Sequence, residues 1–338
     1  MSNQRLSMKS MLRILPALFV AAGIALVAPD PAQAAAPKKK PAAAKKAKPS
    51  PARVVRKKSN IHLVGTRAAA AATTAAATAA TAGEPPLHLK SSAVAVFDQS
   101  TGDVLYEKNA DAVVPIASIT KLMTAMVALD AHPSLTEELS IGMEDVDTVK
   151  GTRSRLKVGT RLTREEMLRL ALMSSENRAA SALSRHYPGG RPAFVAAMNA
   201  KAQQLGLSDT RFADPTGLTP DNVSSARDLV RMVDAAHHYP LIREFSTSEG
   251  YEVAVKGRPQ SFHNTNALVK SDSWSIGLSK TGYISEAGKC LVMQAWLNDK
   301  PTIIVLLDSW GKLTRIGDAN RIKRWIESLA SSRPSIKS

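Results

Sequence analysis

Residues 87–330 carry strand-like patterns at both ends and helix-like patterns between them, and this order constrains the fold more than any other feature. At the front, "SSAVAVFDQSTGDVLYEKN" holds two alternating runs around "QSTGD", a hairpin signal. Helical apolar spacing follows in "SITKLMTAMVALDA", "REEMLRLALM", "RAASALSRHY", "PAFVAAMNAKAQQLG" and "ARDLVRMVDAAHH". After Tyr239 the pattern returns to strands in "GYEVAV", "WSIGLSKTG", "KCLVMQAWL" and "PTIIVLLDSW", and a last helix is predicted at "RIGDANRIKRWIESLA". Strands from both ends can make one mixed or antiparallel sheet, with the middle helices as a cap. That is an α+β arrangement, and the cleft between sheet and cap is the natural place for a site.

The formal net charge of +16 suggests nucleic acid or membrane as a partner until it is mapped. Residues 1–88 hold fourteen Lys/Arg against two acids, Asp30 and Glu84, whereas the other 250 residues hold 31 against 27. The charge sits in one segment, which argues against a nucleic-acid-binding domain. Within it, residues 1–34 read as a signal peptide: Arg5, Lys9 and Arg13, then the apolar run Ile14 to Val27, then Ala32-Gln33-Ala34. The run is short for a membrane span, cleavage is predicted after Ala34, and the mature chain is expected in the periplasm. Residues 35–86, rich in Lys, Pro, Ala and Thr, have no apolar period and are predicted to be disordered. They could tether the domain to an anionic wall or membrane surface, or simply space it. Residues 331–338 form a short polar tail. Cys290 is the single cysteine, placed in a strand pattern as a buried thiol, and the seven histidines have no ligand spacing. Neither a metal nor a cofactor is expected.

Three short motifs could carry chemistry: Ser118-Ile119-Thr120-Lys121, Ser175-Glu176-Asn177 and Lys280-Thr281-Gly282. Three residues apart on a helix, Ser118 and Lys121 share a face. A serine in the first turn gains from the helix dipole as it becomes an alkoxide. Lys121 precedes the apolar run "LMTAMVAL", and a charge on a buried helix needs a reason. Burial and a second cation would lower its pKa, so that it could take the serine proton. Ser175 could relay a proton to a leaving amine and Asn177 could hold a peptide backbone, although helix capping is the plainer reading of that motif alone. Lys280 and Thr281 at the end of an edge strand could bind a carboxylate. Gly282 would let a substrate backbone approach closely.

The set and its order resemble the serine penicillin-binding proteins and β-lactamases. "IASITKLMTAMV", "LMSSENRAASAL", "DPTGLTPDNVSSARDL" and "GLSKTGYISEAGKCLVMQ" are similar to the low-molecular-mass D-alanyl-D-alanine peptidases, over about residues 88–330 and most closely to their endopeptidase branch. The resemblance implies a β-lactamase-like fold with a mainly antiparallel sheet and a helical subdomain, within a peptidase domain at 87–330. It implies Ser118 as nucleophile, Lys121 as general base, Ser175 as proton carrier and Asn177 as substrate holder. Lys280 and Thr281 would bind the carboxylate end, and the N–H groups of Ser118 and Tyr283 would form the oxyanion hole. The implied substrates are peptidoglycan stem peptides, with penicillins as covalent inhibitors. The chain has no length for the C-terminal β domain of the carboxypeptidase branch, so cross-link cleavage is expected. Trimming of terminal D-alanine and a non-turnover β-lactam sensor are the alternatives.

Overall fold

A computed structural model describes residues 87–331; the predicted signal peptide, the basic linker and all but the first residue of the polar tail lie outside the described residues. β1 (Ser91–Asp98) and β2 (Val104–Lys108) form the expected hairpin. Asp98 sets its turn by accepting hydrogen bonds from the N–H groups of Ser100 and Thr101. β3 (Val114–Pro115) and a single 3-10 turn, Ala117–Ile119, lead into α1 (Thr120–Asp130). Ser118 therefore stands in that turn, just ahead of the regular helix. Every residue of α1 from Thr120 to Ala128 is buried, as its apolar sequence requires.

β4 (Glu138–Ser140) pairs with β5 (Arg161–Thr163), and α2 (Arg164–Met173) follows directly. α2 starts on a reciprocal cap: Thr163 Oγ1 accepts from Glu166 N at 3.2 Å, and Thr163 N donates to the Glu166 carboxylate at 2.7 Å. Next come α3 (Asn177–Arg185), α4 (Gly190–Gln204), β6 (Val223–Ser224) paired with β3, and α5 (Ala226–His237) capped by Ser225. The chain does not return to strands at once after Tyr239. It first forms α6 (Pro240–Thr247), with proline at the start and Ile242 and Phe245 buried three apart. "GYEVAV" is a strand, β7 (Gly250–Val255), but it pairs only with β8 (Arg258–His263) in a separate hairpin.

β9 (Ser275–Ile284), β10 (Gly288–Leu297) and β11 (Lys300–Ser309) join the first hairpin in a five-stranded sheet of order β2-β1-β11-β10-β9, and α7 (Thr314–Ser331) ends the described chain. Every pairing in this sheet is antiparallel. Its central strands read as continuous apolar runs because both faces are covered. Ile303, Val305 and Leu307 face the large core shared with α1 and α5, while Ile304 and Leu306 face a second core with Ala319 and Ile322 of α7. Cys290 is fully buried on β10, where burial raises its thiol pKa to about 11. Among the described residues no helix is long and apolar enough to cross a membrane. β9, with Lys280, Thr281 and Gly282 inside it rather than at its end, is one of the sheet's two edge strands.

Candidate active site

The turn that bears Ser118 is held between two glycines. Ala117 has a left-handed backbone, φ +49°, and a Cβ added to Gly217 would lie 1.9 Å from its carbonyl oxygen. From the other side, a Cβ on Gly282 would come within 2.9 Å of Ile116 O and 3.1 Å of Ser118 N. The sequence suggests a substrate backbone approaching Gly282; the chain's own backbone at Ile116–Ser118 already does so.

Lys121 has no solvent exposure. Its Nζ lies 2.8 Å from Ser118 Oγ, 2.7 Å from Asn177 Oδ1 and 2.7 Å from the Thr216 carbonyl oxygen. Asn177 Oδ1 and Thr216 O can only accept. A neutral amine has two N–H bonds and one lone pair, so those two acceptors use the N–H bonds and leave the lone pair facing the Ser118 hydroxyl. Burial pulls Lys121 down from the ordinary lysine value to about 7, against the opposing pull of the Asp214 and Glu176 charges. At neutral pH the amine is therefore about half uncharged, and its uncharged form has an N–H for each of the two acceptors and a lone pair for the Ser118 hydroxyl.

The other two motifs meet around this pair. Asn177 begins α3, and its amide nitrogen donates to Thr152 Oγ1 at 3.1 Å. Ser175, in a left-handed conformation at φ +60°, accepts from Lys280 Nζ at 3.0 Å. Lys280 also donates to Thr281 O at 2.9 Å and is 1% exposed. Burial, then the charges of Lys121 and Arg315, hold it well below the ordinary lysine value. The Thr281 hydroxyl donates to Thr265 Oγ1 at 2.6 Å. Tyr283 turns its ring outward, 61% exposed, with the Lys289 ammonium 4.6 Å from the ring centre. Direct bonds thus join Ser118, Lys121 and Asn177 in one group and Ser175 and Lys280 in another, with Gly282 packed on the serine turn.

Several residues of the site carry no motif. Arg315, from the first turn of α7, donates to the carbonyls of Gly282 and Cys290 at 3.1 and 3.2 Å and adds positive charge behind Lys280. The loop "DPTGLTPDN" presents the Thr216 carbonyl to Lys121. Asp214 fixes that loop by accepting from Thr216 N and Oγ1 at 2.5 Å each and from Gly217 N at 2.8 Å. Asn222, fully buried, ties it to α1 through Thr120 Oγ1 at 3.0 Å. The Asp and Gly of "DPTG" signal a turn but say nothing of which amine the turn serves. Glu176, 8% exposed, accepts from Ser154 Oγ at 2.7 Å and sits 3.6 Å from Arg155. Because its charge holds the Lys121 pKa up, Glu176→Gln is expected to move the acid limb of the pH–rate profile to lower pH; an unmoved limb shows that Lys121 does not feel this carboxylate.

Comparison with known proteins places the chain in a family. A relative from Pseudomonas aeruginosa named D-alanyl-D-alanine endopeptidase is 50% identical over 242 residues, covering 71% of this chain and 78% of that protein. An Escherichia coli protein of the same name is 47% identical over 251 residues, 73% of this chain and 80% of its own length. The crystal structure of the Streptomyces K15 DD-transpeptidase superposes with a TM-score of 0.66 at 28% identity, over 71% of this chain and 98% of that one. A sequence model described as D-alanyl-D-alanine carboxypeptidase matches residues 77–311, most of the chain that carries the sheet, the helices and all three motifs. The chain belongs to that D-alanyl-D-alanine peptidase family.

Proposed function

We propose that this protein is a serine D,D-peptidase that hydrolyses D-alanyl cross-links between peptidoglycan stem peptides. The observation that carries the reading is the buried Lys121 amine, whose Nζ lies 2.8 Å from Ser118 Oγ. In the first step Ser118 Oγ attacks the D-alanyl carbonyl carbon while its proton passes to Lys121 Nζ. The Ser118 and Tyr283 backbone N–H groups take the developing oxyanion. The intermediate collapses with cleavage of the C–N bond, and the leaving amine receives a proton through Ser175, which Lys280 orients. Asn177 holds the peptide alongside. Lys280 and Arg315 draw the substrate carboxylate, and that carboxylate restores the proton affinity that burial takes from Lys280. Water, deprotonated by Lys121, then releases the acyl group and regenerates the Ser118 hydroxyl. A β-lactam enters the first step as a mimic of the peptide and acylates the same oxygen.

Cutting of cross-links, rather than of a terminal D-alanine, is supported by the names of the two relatives at 47–50% identity. The signal-like first 34 residues support a periplasmic site of action, and the basic linker supports contact with an anionic wall surface. Digestion of purified cross-linked muropeptides is the test. Dimers are expected to fall to monomers, monomeric pentapeptide to keep its terminal D-alanine, and Ser118→Ala to do neither. Trimmed pentapeptide would assign the carboxypeptidase activity instead. A stable acyl-enzyme without turnover would assign a sensor.

A further inference from the structure

The Asn177 amide must stand one way round for Lys121 to act as a base. Its oxygen and nitrogen ends have nearly the same shape, and a half-turn of the amide exchanges them. With Oδ1 towards Lys121 the amide accepts an N–H, as it does at 2.7 Å. With Nδ2 in that place it would donate to the lone pair of the uncharged amine, and Ser118 Oγ would meet an N–H instead. Only the first orientation leaves a lone pair for the serine proton.

The choice is made in the loop between β4 and β5. The Asp147 carboxylate accepts there from Val149 N at 2.8 Å, Lys150 N at 3.0 Å, Thr152 N at 2.8 Å and Thr152 Oγ1 at 2.6 Å. Burial pulls this carboxyl up, but the bonds from Thr152, Lys150 and Val149 outweigh it and hold it below the ordinary carboxylate value. It is therefore ionised at neutral pH and can only accept. Thr152 has a single O–H and gives it to Asp147, so its oxygen can only accept in turn, and Asn177 Nδ2 donates to it at 3.1 Å. Two further bonds hold the loop in place on α3: Ser154 Oγ donates to Glu176 at 2.7 Å, and Arg178 donates to the Leu156 carbonyl at 2.8 Å. Resting on the reading of Lys121 as the base, we propose that Asp147 and Thr152 are positioning residues for acylation: they hold the Asn177 amide in the orientation that leaves Lys121 free to take the Ser118 proton. Neither touches the reacting atoms. Their effect passes in one sense, from Asp147 through Thr152 and Asn177 to Lys121.

The test is the pH profile of Ser118 acylation by benzylpenicillin in Thr152→Val, which keeps the shape and removes the hydroxyl. Thr152 is exposed, so water replaces the lost group, and water donates as readily as it accepts. The amide can then turn over, but only when Lys121 is uncharged, because an ammonium repels Nδ2. That extra state should lower the rate above the acid limb about three- to tenfold, the worth of one hydrogen bond. It also favours the uncharged amine, so the limb should move down by about half to one pH unit, the same factor expressed as a pKa. Below the limb the variant and the wild type should be acylated equally fast. Lys121 is faced by Ser118 from its own turn, Asn177 and Glu176 at the start of α3, Asp214 and Thr216 from the loop ahead of β6, and Lys280 from β9, and the substitution changes none of these. Thr152→Ser should recover the lost rate. Asp147→Asn should lower the rate above the limb in the wild-type background and lower it no further in Thr152→Val. A loss that is equal at every pH, no loss at all, or an Asp147→Asn effect of the same size in both backgrounds would make the loop a structural support and overturn the inference alone. A wild-type chain that benzylpenicillin does not acylate at Ser118 overturns the peptidase reading and the inference with it.

Discussion

Lys121→Arg is expected to slow acylation of Ser118 by benzylpenicillin about 10²- to 10⁴-fold, the range over which a positioned general base acts. The loss does not come from removing a cation, since arginine keeps one. It comes from removing the ability to be uncharged: a guanidinium holds its proton at every pH a protein survives and has no lone pair to offer Ser118 Oγ. In the wild type the acylation rate should climb as pH rises through about 7, because Lys121 loses its proton there. The variant's residual rate should lack that limb. The same displacement acts on stability. The unfolded chain binds a proton at Lys121 up to the ordinary lysine value near 10.5, whereas the folded chain releases it at about 7. Between those two values the unfolded state holds more protons, so this residue's contribution to stability improves with rising pH and is poorest below 7. Arginine would keep that buried charge throughout, so a lower Tm is expected as well. Lys121→Met separates the two effects: it removes the base but buries no charge, so it should be as inactive as the arginine variant yet melt above it, the loss that remains coming from the Asn177 and Thr216 oxygens left without a donor. If the methionine variant is acylated within tenfold of the wild-type rate, Lys121 is not the base.

The sheet was legible because burial leaves a period. Alternation around "QSTGD" and the run "TIIVLL" follow from strands covered on one or both faces. The Ser118–Lys121 pair was legible for a related reason: a lysine within a helix as apolar as α1 is anomalous without a partner. β8 left no trace because it is mostly exposed, so "RPQSFH" has no apolar face to reveal a strand. α6 was hidden by its length, eight residues with two buried apolar positions three apart, too short for a helical period to repeat. In the site, side-chain chemistry could be read and backbone chemistry could not. Serine, lysine and asparagine announce what they can do. The carbonyl of Thr216, which fixes the direction of the Lys121 lone pair, is common to every residue type and is placed only by tertiary folding. Arg315 lies 35 residues beyond Lys280 on another element, and nothing local marks it as a neighbour.

Gly217→Ala is expected to destabilise the fold by about 2–4 kcal/mol, combining the cost of a left-handed backbone with that of an overpacked contact. For a domain of this size that is a fall in Tm of roughly 5–15 °C. The residue has φ +78°, and its new Cβ would stand 1.9 Å from Ala117 O and 2.9 Å from Thr120 Oγ1, so backbone must move. Two backbones are available to move, and both serve the site. Shifting Ala117 tilts the turn that aims Ser118, and shifting the loop withdraws the Thr216 carbonyl from Lys121. A displacement near 1 Å in either should slow acylation by about 10²-fold, since that precision is what orientation contributes. Gly206→Ala is the comparison that isolates the contact. Gly206 has a similar φ, +67°, but nothing lies within 4 Å of its Cβ position, so only the conformational cost of about 1 kcal/mol applies and acylation should be untouched. Equal losses of Tm in the two variants, with acylation intact in both, would mean that the Asp214–Asn222 loop yields without disturbing the serine turn. The loop would then be packing rather than a support for the nucleophile.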